Sequence, residues 1–166
     1  MIKIREVDTS DAMRLANLIQ KVDKSSDYML WESGEREISA EKQLKIIEGL
    51  KKSGNSTILV VEKEKELVGY LFAIGGNAKR NKHGAYIVIG IAKESRGMGI
   101  GSKLFKKLNN WAIENDICRL ELTVVTKNES GLRLYTKSGF EIEGTKRKSL
   151  CIDGEFVDEY YMSKLI

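Results

Sequence analysis

The alternation of apolar and polar positions changes period several times along this chain, and each change marks an element. Ile2 to Val7 alternates with a period of two, as a strand with one buried face does. Asp8-Thr9-Ser10-Asp11 then offers oxygen acceptors for the free amides of a helix start, and Ala12, Leu15, Ala16, Leu18 and Ile19 follow at helical spacing. From Lys24 to Ser39 no period holds. That stretch mixes aromatic and acidic residues, Tyr28, Trp31, Glu32 and Glu35 among them, as a loop does when it closes over a ligand. Ser39 is placed to cap a second helix, with Leu44, Ile47 and Leu50 on one side and Gly54-Asn55 at its end. Thr57 to Glu62 and Leu67 to Ile74 read as strands joined by the charged turn Lys63-Glu64-Lys65-Glu66, and Gly75 to His83 reads as a polar loop.

The middle of the chain carries the strongest pattern. Ala85 to Ala92 is a short continuous apolar run rich in β-branched residues, which suits a buried strand. Beyond a charged connection, Ile100, Leu104, Phe105, Leu108, Trp111 and Ala112 form one stripe, with Lys103, Lys106, Lys107, Asn109 and Asn110 largely outside it, which predicts an amphipathic helix. Leu120 to Thr126 reads as a further strand, and Asn128 to Lys137 as a short helix ended by Ser138-Gly139. Phe140 to Cys151 and Phe156 to Leu165 close the chain as two strands around Asp153-Gly154, a hairpin turn signal. The order is strand, two helices, three strands, helix, strand, helix, two strands. It predicts one α/β domain over residues 1–166 with a mixed sheet.

Composition narrows the class of partner. The chain has 166 residues, enough to bury a core without disulfides or metals. No segment approaches the ~18 consecutive apolar residues of a membrane span. Met1 to Arg5 leads straight into the first strand, so a cytoplasmic protein with no signal peptide and no membrane partner is expected. The net charge of +4 is spread along the chain, with small clusters at Lys79-Arg80-Asn81-Lys82 and Lys146-Arg147-Lys148. A nucleic-acid surface needs a denser basic face with interleaved aromatics, so no nucleic-acid partner is expected, while a small polyanionic cofactor fits this charge. Cys118 and Cys151 are far apart and in no C-x-x-C pair, which predicts two reduced, partly buried thiols. His83, the only histidine, falls in the polar loop, so no metal requirement is expected. Tyr160, Tyr161 and Met162 on the C-terminal strand suggest a sheet edge that could pair, and hence a homodimer.

The candidate chemistry lies between the buried strand and the amphipathic helix, at Arg96-Gly97-Met98-Gly99-Ile100-Gly101-Ser102. Three glycines in five residues remove the side chains that would keep an anion from the backbone. The amides from Met98 to Ser102 can converge at the positive end of a helix dipole, which suits a diphosphate. A bare strand-to-helix turn would use the same glycines. A nucleotide P-loop is excluded by spacing, because Gly97 and Ser102 do not give G-x-x-x-x-G-K-[ST]. The dinucleotide fingerprint G-x-G-x-x-G is not met either, although Glu121 lies about where a ribose-binding acid would be.

Arg96 to Gly101 does match R/Q-x-x-G-x-G/A, and here the sequence resembles the GNAT superfamily of N-acetyltransferases. Downstream, Asn128-Glu129-Ser130-Gly131-Leu132-Arg133-Leu134-Tyr135-Thr136-Lys137-Ser138-Gly139-Phe140 is similar to the family block N-x-x-A-x-x-L-Y-x-x-x-G-F. The ending from Gly144 through Asp153-Gly154 to Met162 resembles members that acetylate polyamines, amino acids or ribosomal-protein N-termini.

The resemblance implies a mostly antiparallel mixed sheet of about seven strands with about four helices, and acetyl-CoA as cofactor. It implies that backbone groups of Ile89 and Ile91 line the pantetheine, that Arg96, Gly97, Met98, Gly99, Ile100, Gly101 and Ser102 line the diphosphate, and that Asn128 and Tyr135 face the cofactor. Tyr135 becomes the proton donor to the departing thiolate. A helix cap at Asn128 and simple packing at Tyr135 are the plain structural alternatives. Three departures stand out: Gly131 replaces the family alanine, Lys93 replaces a frequent proline, and Ala85 to Ala92 holds no carboxylate where many members carry a general base. Glu32 is the candidate base, and Tyr28, Trp31, Glu32 and Glu35 are the candidate lining for a small amine acceptor. A protein N-terminal acetyltransferase and a catalytically silent CoA-binding module of the same fold are the alternatives.

Overall fold

The computed structural model describes residues 1–166. Its strands are β1 (Ile2–Glu6), β2 (Thr57–Lys63), β3 (Glu66–Gly75), β4 (Gly84–Ile91), β5 (Arg119–Val125), β6 (Glu141–Ile152) and β7 (Glu155–Leu165). The helices are α1 (Ala12–Ser25), α2 (Ala40–Ser53), α3 (Ile100–Glu114) and α4 (Glu129–Lys137). The seven strands form one sheet in the order β1-β2-β3-β4-β5-β7-β6. Every neighbouring pair is antiparallel except β4 and β5. This is the α/β architecture, with the mostly antiparallel mixed sheet and four helices, that the pattern and the resemblance led us to expect.

Each predicted helix is held by the residues that predicted it. Asp8 and Asp11 form a reciprocal capping box on a short 3-10 turn that leads into α1. The Ser39 side chain accepts from the Lys42 amide, and Gly54 ends α2 in the left-handed conformation at φ 76°. In α3, Ile100, Leu104, Phe105, Leu108, Trp111 and Ala112 are all buried, so the stripe read from the sequence is the face that enters the core.

The one parallel pairing creates the site. β4 pairs with β5 only from Gly84↔Arg119 to Tyr86↔Glu121, yet β4 runs on to Ile91 and β5 to Val125. Beyond Tyr86 the strands diverge and leave a slot through the middle of the sheet. Its faces follow from β7. Met162 lies in the core, and Lys164 Nζ donates to Asn109 Oδ1 of α3 at 3.1 Å and to the Ser138 carbonyl at 2.9 Å. Tyr160, Met162 and Lys164 therefore face α3 and α4, while Glu159 and Tyr161 face the opposite side.

Two expectations are corrected. The C-terminal strand β7 is not an edge, because it is hydrogen-bonded between β5 and β6, and β6 is the edge strand. Folding the last hairpin back inside its own sheet removes the motive for an edge-paired dimer. Cys118 and Cys151 are both free, and both are exposed rather than partly buried. Cys118 lies in the turn before β5 and Cys151 on the edge strand β6, positions that no helix covers. The β6 strand is also irregular, with its register shifting between Ile142 and Gly144 and between Lys146 and Leu150. Lys148 sits there at φ 48° and its amide donates to Asp158 Oδ1 at 2.7 Å, a bulge that no glycine or proline announces.

Candidate active site

A cleft of about 700 Å³ opens along the slot. Its floor is backbone. The bonds from Ala92 N to Val68 O and from Gly76 N to Gly84 O fix the alternation of the β3–β4 ladder, so that Tyr86, Val88 and Gly90 exchange bonds with β3. Ile89 and Ile91 then turn their N–H and C=O groups toward β5, where no strand partner remains. The Ile91 carbonyl accepts from Arg96 Nε at 3.2 Å. The amides of Ile89 and Ile91 and the carbonyl of Ile89 stay open, which is the edge an extended amide-bearing chain can pair with.

At one end of the slot stands the α3 N-terminus. Gly97 and Gly99 adopt φ 75° and 73°, a conformation that disfavours any side chain, and Gly99 is the cap residue with no side-chain acceptor. The first intrahelical bond runs from Lys103 N to Gly99 O, so the Ile100, Gly101 and Ser102 amides are unsatisfied within the helix. The first turn contains no acidic residue, so no carboxylate competes for its positive end. Arg96, Gly97, Gly99, Ile100, Gly101 and Ser102 all line the cleft, whereas Met98 is exposed outside it. Arg96 also reaches Ser25 Oγ at 3.4 Å, tying the loop to the end of α1. Gly101 has a second duty: a Cβ there would fall 2.7 Å from a Leu134 methyl, so its absence lets α4 lie against α3.

That close approach carries Asn128 and Tyr135 to the slot. Asn128 Oδ1 accepts from the Gly131 amide at 3.0 Å, so Asn128 caps α4 and also lines the cleft. A Cβ at Gly131 would lie 2.7 Å from Asn128 Nδ2, so an alanine there requires the Asn128 side-chain amide to shift. The half-buried Tyr135 ring sits edge-on to Phe105 at 5.8 Å and to Phe140 at 6.3 Å. Burial, and secondarily the nearby Tyr86 phenol, push Tyr135 up to about 12, which holds the proton on its oxygen at neutral pH. From the opposite side, Tyr86 and Thr123 share a hydrogen bond of 2.8 Å across the diverging strands.

The loop between α1 and α2 covers this second side. Tyr28, Met29, Leu30 and Trp31 line the cleft, and Arg36 grips the buried Asp23 with bonds of 3.0 and 3.2 Å while its guanidinium lies 5.6 Å from the Trp31 ring centre. Glu32 and Glu35 are exposed and lie outside the lining. Glu35 instead accepts the Glu32 amide at 2.8 Å, so its carboxylate closes a local turn. The sequence reading missed the Asp23–Arg36 clip, Tyr86 and Glu159, all of them unremarkable polar positions until the strands are registered. No His, Cys, Asp or Glu cluster of three or more gathers at a common point, and no helix is long and apolar enough to cross a membrane.

Residues 20–140 match the model described as the acetyltransferase (GNAT) family. The chain belongs to that family. Acetyl-CoA is the family's cofactor, and the open backbone edge and uncontested α3 N-terminus fit its pantetheine amides and diphosphate. L-amino acid N-acetyltransferase AaaT of Escherichia coli (strain K12) is 34% identical over 104 residues, which are 60% of this chain and 62% of that protein. The match thus spans less than two-thirds of that relative. The crystal structure of an acetyltransferase of the GNAT family from Streptococcus pneumoniae has a TM-score of 0.95 at 29% identity, covering 100% of this chain and 99% of that one. A phosphinothricin acetyltransferase (Pat) from Sinorhizobium meliloti, solved in complex with acetyl-CoA, shares the fold with a TM-score of 0.87 at 17% identity, over 99% of this chain and 88% of that one.

Proposed function

We propose that the protein is an acetyl-CoA-dependent N-acetyltransferase acting on a small primary amine, with amino acids and polyamines as the acceptor classes to test. The observation that carries this reading is the slot through the sheet, which offers cofactor groups on the α3–α4 side and acceptor-sized aromatic lining on the other. Ile89 and Ile91 would bond the pantetheine, and Gly97 together with Gly99 through Ser102 would hold the diphosphate. An amine entering under Tyr28 and Trp31 would attack the thioester carbonyl. An open β4 amide would then stabilise the oxyanion, and Tyr135 would protonate the departing sulfur. The name of AaaT supports an amino-acid acceptor. Titration calorimetry with acetyl-CoA tests the cofactor, with micromolar binding expected, and Gly99→Trp should abolish it. A panel of amino acids, polyamines and peptide N-termini, followed by release of free thiol, tests the acceptor. Turnover of peptides alone would refute the small-amine reading, and acetyl-CoA binding without thiol release from any amine would favour a silent module.

A further inference from the structure

The strand β4 supplies no carboxylate, so nothing on it can take the proton that an alkylammonium must lose before it attacks. At pH 7 an amine of pKa near 10 is only about a thousandth deprotonated. One carboxylate elsewhere meets the need. Glu159, on β7, lines the cleft with a relative exposure of 8%. It lies opposite Val125 of β5 and diagonal to Thr123, on the sheet face away from α3 and α4, and so on the same side as the Tyr86–Thr123 hydrogen bond. It forms neither a hydrogen bond nor an ion pair within the chain, and Lys146, opposite it on β6, does not engage it. The residue is buried as a whole, but its unpartnered carboxylate oxygens keep solvent contact, so they open to the cleft. Its neighbours in sequence show how unusual this is: Asp158 is bonded to the Lys148 amide, and Glu155 is paired with Lys127 at 3.1 Å.

We infer that Glu159 receives the acceptor's ammonium group and acts as the general base of the transfer. This rests on the acetyltransferase reading above. The R–NH3+ group donates one proton to the Glu159 carboxylate, and the freed lone pair forms the C–N bond at the thioester carbonyl carbon. The C–S bond then breaks with its electron pair on sulfur, which takes the Tyr135 proton. The amide nitrogen loses its second proton, which returns to the tyrosinate through solvent, and Glu159 passes its own proton to solvent. One proton is released for each acetyl group moved. The charged and titratable groups that line the cleft with Glu159 are Asp27, Tyr28 and Arg36 of the covering loop, Tyr86 on β4, Arg96 of the α3 loop and Tyr135 on α4, and Lys146 lies opposite it on β6. Arg36 is committed to Asp23, and of the two unpaired acids that line the cleft Asp27 is exposed, whereas Glu159 is buried within the sheet.

The test is Glu159→Gln in the full chain. Calorimetry should show wild-type acetyl-CoA affinity, since Glu159 lies across the sheet from the α3 loop. Thiol release should show acceptor kcat/KM reduced about 100-fold at pH 7. The deficit should shrink about tenfold for each pH unit above 7, because the amine itself then supplies its neutral form. Glu159→Asp, one methylene shorter, should restore part of the activity with the wild-type pH profile. Wild-type kcat/KM in Glu159→Gln, or a 100-fold loss independent of pH, would overturn the assignment. So would equal loss of acetyl-CoA binding, which would mark a structural role. Failure of the wild type to bind acetyl-CoA would instead refute the acetyltransferase reading itself. If Glu159→Gln does not fold, full activity in Glu159→Asp at every pH overturns the base role, and a partial loss with the wild-type pH profile supports it.

Discussion

Single residues in this protein act through what a side chain would collide with or must hold. At Gly97 and Gly99 the backbone itself demands glycine, because positive φ is disfavoured for other residues whatever space surrounds them. At Gly101 the demand comes from Leu134, and the gain is an α4 close enough to bring Tyr135 to the slot. Tyr135 is held by packing against Phe105 and Phe140, so removing only its oxygen should leave the ring in place. Tyr135→Phe is expected to lower kcat about 100-fold while acetyl-CoA affinity stays within a factor of two, read by thiol release and calorimetry. An unchanged kcat would reduce Tyr135 to a packing residue.

Among the elements, the hairpins show which turns suit their residues. Asp153 and Gly154 carry φ of 51° and 76°, the conformation that an Asp-Gly pair favours in a two-residue turn. The β2–β3 hairpin needs the same turn, yet Glu64 and Lys65 occupy it at φ of 51° and 70°. Neither side chain is suited to the left-handed region. Replacing the pair by Asn-Gly is expected to stabilise the fold by about 1 kcal/mol, seen as a higher urea midpoint with an unchanged slope. A lower midpoint would mean that contacts of the two native side chains outweigh the backbone strain.

For the molecule as a whole, one ionic network ties the start of the chain to the sheet. Asp11, with a relative exposure of 1%, receives Arg5 at 2.7 and 3.0 Å and Arg14 at 2.5 Å, while Glu62 of β2 binds the same two arginines. The Arg5 hydrogen bonds outweigh the cost of burial and hold Asp11 well below the usual carboxylate range. Because the folded value is depressed, the stabilisation is present above the unfolded carboxylate value near 4 and is lost as pH falls from there toward the folded value. Asp11→Asn should therefore cost about 3 kcal/mol at pH 7, the lower end of what breaking a buried pair costs because Arg5 keeps some solvent contact. The gap between variant and wild type should narrow between pH 4 and pH 2 in urea unfolding. A gap constant across that range would mean that packing, not charge, is lost.

Sequence by itself determined the elements and the glycine loop before α3, because both rest on local physics. The stripe from Ile100 to Ala112, the caps at Asp8, Ser39 and Asn128, and the glycines at positive φ all express preferences set within a few residues. Register, faces and edges were left to the tertiary structure. No local signal says that β4 and β5 part after Tyr86, that β7 enters between β5 and β6, or that Glu159 faces inward while Glu32 and Glu35 stay at the surface. Those outcomes depend on pairings between residues far apart in the chain. A shift of one residue in strand register turns every side chain to the other face, so the placing of Glu159 in the cleft was decided only when β7 took its place in the sheet.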